Sequence, residues 1–229
     1  MLIHQSVCLV SGGMDSIAAL CWAKRTYRDV LAVLFDYGQP NRDQELTRAG
    51  AACEALGVTR LGIAVADSLP RGKGILNRVE DHDGREDGAS PAIVPGRNIL
   101  FAVSAAAHAA VHFPNGNIAL VLGCNAQDAR RFPDCHSMAI KAMGECIRVA
   151  IAREIQVVAP WITGTKGQML AALPLEDRDL VATSWSCYRG KGPCGKCSAC
   201  VLRAEAFAAV GLEDRCAEVR MTGGDPARG

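Results

Sequence analysis

A doubly wound α/β fold, a parallel sheet with helices on both faces and a small C-terminal metal-binding segment, is predicted by three observations. Short apolar, often β-branched runs alternate with stretches of helical apolar spacing between residues 6 and 158. A glycine loop, Ser11-Gly12-Gly13-Met14-Asp15-Ser16, joins the first such run to the first helical stretch. Four thiols, Cys187, Cys194, Cys197 and Cys200, fall within fourteen residues near the C-terminus, with glycine and proline between them.

The elements follow in order. Residues 6–10 read as a short buried strand, and residues 15–28 as a helix with its apolar face on Ile17, Leu20, Cys21 and Ala23. Residues 30–35 form a second strand ending at Asp36-Tyr37-Gly38-Gln39. Pro40 and Asn41 open a helix that runs to residue 56 and stops at Gly57. Residues 60–66 are a third strand. Residues 67–91 are polar and Gly-rich without periodicity, the composition of a long mobile loop or lid. An Ala-rich helix over 97–111, a fourth strand over 117–123, a helix over 134–153 and a short fifth strand over 155–158 complete the pattern. The expected division is an α/β domain over residues 1–183, a zinc-binding four-cysteine segment with a closing helix over 184–216, and a flexible tail over 217–229.

Apolar residues make up 49% of the 229, charged residues 21%, and the formal net charge is +1. That composition is ordinary for a globular protein and argues against tight nonspecific nucleic-acid binding. The first ten residues lack the basic start of a signal peptide, and the apolar stretch over 99–113 contains His108 and His112 and is too short to span a bilayer. Eleven cysteines without a secretory signal imply a reducing cytoplasm. The seven outside the tail, at 8, 21, 53, 124, 135, 146 and 216, are expected mostly in the core.

Cys-x-x-Cys turns point two sulfurs at one point, and zinc takes four soft ligands in a tetrahedron. Cys187, Cys194, Cys197 and Cys200 are therefore expected to hold one structural zinc per chain, with no open position for a reacting water; disulfides or core thiols are the plainer alternative. The glycine loop lies where an open parallel sheet binds ligands, at the carboxyl end of a strand. Its N–H groups and the following helix N-terminus favour an anion such as phosphate. Asp15 would cap the helix or bind the magnesium that accompanies a nucleotide. A plain Gly-Gly turn, with Asp15 or Ser16 as helix cap, is the competing reading.

The loop Ser11 to Ser16 resembles the PP-loop of the ATP pyrophosphatases. Four further stretches narrow the resemblance: Phe35-Asp36-Tyr37-Gly38-Gln39, Val94-Pro95-Gly96-Arg97-Asn98, Pro133-Asp134-Cys135, and Ser186-Cys187-Tyr188 through Cys200 with Leu202-Arg203. In this order, over residues 7–211, they resemble the 7-cyano-7-deazaguanine synthases of queuosine biosynthesis, the QueC family. The resemblance implies an adenine nucleotide alpha hydrolase-like fold. It also implies a carbon-nitrogen ligase that joins 7-carboxy-7-deazaguanine and ammonia into a nitrile at the expense of ATP with Mg2+. It further implies that Val10, Ser11, Gly12, Gly13, Met14, Asp15, Ser16, Ile17, Ala18, Ala19 and Leu20 hold ATP. Asp36 and Gln39 would contact adenosine or substrate. Arg97 would neutralise phosphate or carboxylate charge beside Asn98, and Lys166 would reach the α-phosphate; separately from the resemblance, Asp134, at an expected helix start whose dipole favours a carboxylate, is the candidate acceptor for the base edge. The plainer roles are a surface ion pair for Arg97 and a solvated helix start for Lys166. Asp15, Ser16, Arg97 and Lys166 form the expected catalytic set.

Three departures from the family stand out. Pro40-Asn41-Arg42 follow Asp-Tyr-Gly-Gln where a His is usual, Arg130-Arg131-Phe132 replace Ser-Gly-Tyr, and the first gap between thiols is short. The arginine pair motivates an alternative, a paralogue that adenylates a deazapurine acid and passes it to another amine, including one on a protein. Two further rivals are a nucleic-acid-binding zinc module and a PP-loop tRNA-thiolating enzyme using Cys124 and Cys135. Small-molecule substrates, a homodimer, no membrane and no nucleic acid are the expected partners.

Overall fold

A computed structural model describes residues 3–65, 93–188 and 192–216. The strands are β1 (Gln5–Leu9), β2 (Asp29–Asp36), β3 (Thr59–Ala64), β4 (Ile118–Val121) and β5 (Ile155–Val158). All pair in parallel, in the order β3-β2-β1-β4-β5. The helices are α1 (Met14–Thr26), α2 (Arg42–Ala55), α3 (Arg97–His112), α4 (Ala126–Ala129), α5 (Ser137–Ile151), α6 (Lys166–Ala172), α7 (Leu175–Ala182) and α8 (Ser198–Val210). The doubly wound expectation is met. The lid expected over 67–91 lies outside the described residues, as does the tail over 217–229.

Alternation along the strands sends side chains to two cores. Val7, Leu31, Val33, Ile118 and Leu120 face α3 and α5, whereas Cys8, Ala32, Leu34, Ala119 and Val121 face α1 and α2. The second core also takes Met169 and Leu170 of α6, Val181 of α7 and Phe207 of α8. Both faces of the sheet are thus covered, which suits its near-continuous apolar strands. The strand order reverses between β1 and β4, and a crevice opens there at the carboxyl ends.

The helix expected from residue 134 begins at Ser137, because Pro133–Cys135 forms a separate 3-10 turn ahead of it. The short helices α4, α6 and α7 carry too few turns to show a period and were not anticipated. Of the scattered cysteines, six are buried and Cys146 is exposed. Among the described residues, no helix is long and apolar enough to cross a membrane.

Candidate active site

The β1–α1 loop is shaped by contacts that only glycine permits. Gly12 has φ +84°, and a Cβ there would run into the Glu45 carbonyl oxygen of α2. Its own carbonyl accepts from the Trp185 N–H at 2.9 Å, which fixes the loop between α2 and the approach to the thiols. Gly123, after β4, closes from the other side; a Cβ there would stand 2.7 Å from the Asp15 carbonyl oxygen. Within the loop, the Ser16 hydroxyl donates to the Gly13 carbonyl at 2.9 Å and accepts from the Ser11 N–H at 3.1 Å. Among the described residues no side chain caps α1, whose N-cap is Gly13, so the helix-cap reading of Asp15 and Ser16 is set aside.

Asp15 instead turns to an ion network. Its Oδ2 accepts from Lys166 Nζ at 2.5 Å, and its Oδ1 from Asn125 Nδ2 at 3.2 Å. Asp128 Oδ1 lies 3.1 Å from the same ammonium, and Asp128 Oδ2 accepts from Asn125 at 2.7 Å. The fully buried Asn125 caps α4 with its side-chain oxygen, accepting from the Gln127 and Asp128 N–H groups. Lys166 is 5% exposed, not a solvated helix start: Thr165 and Gln168 form a capping box, and the Lys166 N–H donates to Gln127 at 2.8 Å. Burial raises the Asp15 carboxyl to about 6, against the pull of Lys166 and with the help of Asp128. Burial works against the Lys166 charge, yet Asp15 and Asp128 hold its ammonium above the ordinary lysine value.

Arg97 opens α3 from a left-handed Gly96, φ +74°. Its Nη1 donates to the Tyr37 hydroxyl at 3.1 Å, so it is not a surface ion pair. Burial works against its charge, but Tyr37, Asp134 and Glu45 more than offset this and hold the guanidinium above its ordinary value. Asn98 donates to the Cys135 sulfur at 3.5 Å. Glu45 was missed in the sequence. Its two carboxylate oxygens accept from Gln39 at 3.0 Å and Asn41 at 2.9 Å, and burial pushes it up to about 7.

These groups line one cleft of about 690 Å³: Ser11, Gly13, Asp15, Ser16, Asp128 and Lys166 at one end, and Tyr37, Gln39, Glu45, Arg97, Asn98 and Phe101 at the other. Val10 and Met14 are lining residues as well. Other expected residues are elsewhere. Ile17, Ala18, Ala19 and Leu20 are wholly buried in the core beneath the loop, where they shape it without facing the cleft. Asp36 is turned away into a 2.6 Å ion pair with Arg42. Asp134 sits in the 3-10 turn and does not line the cleft. Arg131 reaches the cleft, whereas Arg130 does not. Asn125, Asp128 and Glu45 were legible only as an Asn-x-x-Asp cap pattern and an acidic first helical turn. Both Cys124 and Cys135 are buried, and their mutual hydrogen bond and burial hold the Cys124 thiol well above its ordinary range, which disfavours a nucleophilic thiolate.

The four tail thiols converge. Their sulfurs lie within 4.8 Å of one another, and those of Cys194 and Cys200 are 3.9 Å apart. Tetrahedral zinc–sulfur bonds of about 2.3 Å give edges of about 3.8 Å, so this donor set could hold a metal. The Cys187 carbonyl accepts from Trp185 Nε1 at 2.7 Å and Asn41 Nδ2 at 3.2 Å. Trp185, Ser186, Tyr188 and Ser198 of this segment line the cleft, so the thiol cluster underpins one of its walls.

The family profile described as "Queuosine biosynthesis protein QueC" matches residues 5–211. A "7-cyano-7-deazaguanine synthase" of Marinomonas sp. (strain MWYL1) is 33% identical over 92% of this chain and 96% of its own length. The protein of that name from Marinobacter nauticus is 33% identical over 94% of this chain and 97% of its own. Among solved structures, the NMN synthetase of Francisella tularensis is similar over 92% of this chain and 79% of that one. Its identity is 13% and the TM-score 0.48.

Proposed function

The chain belongs to the family of the queuosine biosynthesis protein QueC, and on that premise we propose that it is an ATP-dependent 7-cyano-7-deazaguanine synthase. The observation that carries this reading is the convergence of the glycine loop, Lys166 and Arg97 on one cleft at the sheet's switch point. Delivery of the activated acid to another amine finds no support in these relatives.

A carboxylate is a poor electrophile, so one oxygen must first become a leaving group. That oxygen attacks the α-phosphorus of ATP, forming the acyl-adenylate and releasing pyrophosphate. Ammonia adds to the acyl carbon and AMP departs, leaving the amide. A second activation of the amide oxygen, followed by its expulsion, gives the nitrile.

The loop N–H groups and the start of α1 suit the pyrophosphate end, beside the Ser11 and Ser16 hydroxyls. Lys166, held by Asp15 and Asp128 on the cleft wall, would bring its charge to the α-phosphate. Arg97 offers the acid a planar fork on a fixed stem. Asp15 and Asp128 already converge on one cation, the Lys166 ammonium, and would be the residues to hold a magnesium ion, which would supply neutralisation of phosphate charge. The tail thiols fit zinc in a structural role. A reducing cytoplasm suits a chain with eleven cysteines. A homodimer is the expected assembly, checked by sedimentation.

The test is the mass of product formed from 7-carboxy-7-deazaguanine, ATP and ammonium. The nitrile is expected, and conversion of another acid with this one untouched would overturn the reading.

A further inference from the structure

Three carboxylates line the cleft: Asp15, Asp128 and Glu45. Two of them are engaged with the Lys166 ammonium. Glu45 is different. Among the described residues no ion pair holds it, and its partners are two neutral amides.

Those amides are themselves fixed. Gln39 is buried, donates also to the Phe35 carbonyl at 3.3 Å, and accepts from the Tyr37 N–H at 3.0 Å. Asn41 is buried and donates also to the Cys187 carbonyl. When Glu45 is ionised, above its raised value of about 7, each of its oxygens therefore takes one bond from the protein and keeps one lone pair. The result is a rigid pair of acceptors on the wall of the cleft that the Phe35, Tyr37 and Phe101 rings also line, with ring centroids 4.1 Å apart for Phe35 and Phe101 and 5.4 Å for Tyr37 and Phe101.

A partly buried acceptor pair that faces the cleft with no cation bonded to it is short of donors unless a ligand brings them. Resting on the synthase reading above, we propose that Glu45 is the specificity-determining acceptor for the two adjacent N–H donors of the deazapurine's pyrimidine edge, the ring N–H and the exocyclic amine. Adenine does not match, since its corresponding edge offers a donor beside an acceptor. Ammonium matches less well, because the positive field of Arg97 already reaches Glu45 and opposes a second cation. A neutral donor pair meets both conditions. Glu45 thus takes the role that sequence reasoning gave to Asp134, which does not line the cleft.

The full-length enzyme is assayed with 7-carboxy-7-deazaguanine and with the analogue lacking the exocyclic amine. Wild-type enzyme should prefer the parent acid by about 10- to 100-fold in kcat/KM, the worth of one hydrogen bond to a charged acceptor. Glu45→Gln, which puts a donor where an acceptor stood, should lose about 10- to 100-fold on the parent acid and discriminate only weakly. Titration calorimetry should show ATP affinity unchanged in this variant. A Glu45→Gln enzyme that weakens ATP instead, or raises only the KM for ammonium, overturns the proposal in favour of a ribose or ammonium contact. Should that variant not fold, equal wild-type turnover of acid and analogue overturns it alone. Wild-type enzyme that makes no nitrile at all refutes the synthase reading, whereas a working wild type with an unaffected variant refutes only the role of Glu45.

Discussion

Replacing Lys166 with Met is the sharpest perturbation of this site. The substitution keeps the side chain's apolar volume and removes a cation held at 2.5 Å from Asp15 and 3.1 Å from Asp128. Breaking a buried pair by deleting one partner costs about 3–5 kcal/mol, because the other charge is left without compensation. Here the two carboxylates keep some water, with 24% and 19% of their side-chain surface exposed, and Asn125 still donates to both. A loss of about 2–3 kcal/mol at pH 8 is the better figure. The loss must depend on pH. Asp15 already sits at about 6, above its ordinary 3.8, so the folded state holds its proton more tightly than the unfolded chain. Stability from this group therefore rises as pH falls through that window. Without Lys166 the elevation grows and the window extends upward, so the deficit of the variant should shrink to about 1 kcal/mol at pH 5. Urea denaturation at pH 5, 6.5 and 8 measures the stability arm. Turnover of ATP with the acid should fall by about 100- to 1,000-fold, the usual loss on deleting a preorganised group that stabilises developing charge. A deficit independent of pH together with retained turnover would refute the reasoning and reduce Lys166 to a packing residue.

Gly12→Ala should destabilise the protein by about 1–3 kcal/mol and abolish ATP binding, since φ is +84° and the new Cβ meets the Glu45 carbonyl; calorimetry with ATP checks this. Cys197→Ser should release the metal, which is expected at one zinc per chain by elemental analysis; full occupancy would show that the ligands are misassigned. Because Trp185, Tyr188 and Ser198 form a cleft wall, the same variant should lose turnover while the far-UV circular dichroism of the sheet domain persists. Arg97→Lys keeps charge but loses the planar fork and the bond to Tyr37, so kcat/KM for the acid should fall by an amount equivalent to about 1–3 kcal/mol with ATP affinity held. The reverse pattern would make Arg97 a phosphate ligand.

The winding of the chain was legible from residues 6 to 158 because strand and helix periods are local properties. Val30 to Phe35 or Ile99 to Ala109 announce their state without reference to any distant partner. The glycine loop and the thiol cluster were legible for a similar reason: both are short, and each needs particular residue types at closely spaced positions. Boundaries failed where local signals conflicted, as at Pro133, which made a 3-10 turn ahead of α5. The helices α6 and α7 escaped notice because seven or eight residues are too few for a period to show.

The sequence by itself determined the parallel α/β architecture, the glycine loop after the first strand and the closely spaced thiols. Only the tertiary structure decided which charges meet. Lys166 and Asp15 stand 151 positions apart, and Asn41 reaches Cys187 across 146. Nothing near Lys166 in the chain reports that it is buried, and although Gln39 and Asn41 stand only six and four positions before Glu45, part of what fixes Asn41 is the distant Cys187 carbonyl. Burial and charge act through space. The crossovers of a doubly wound sheet choose which strand ends share a crevice, and that choice sets which side chains lose water together.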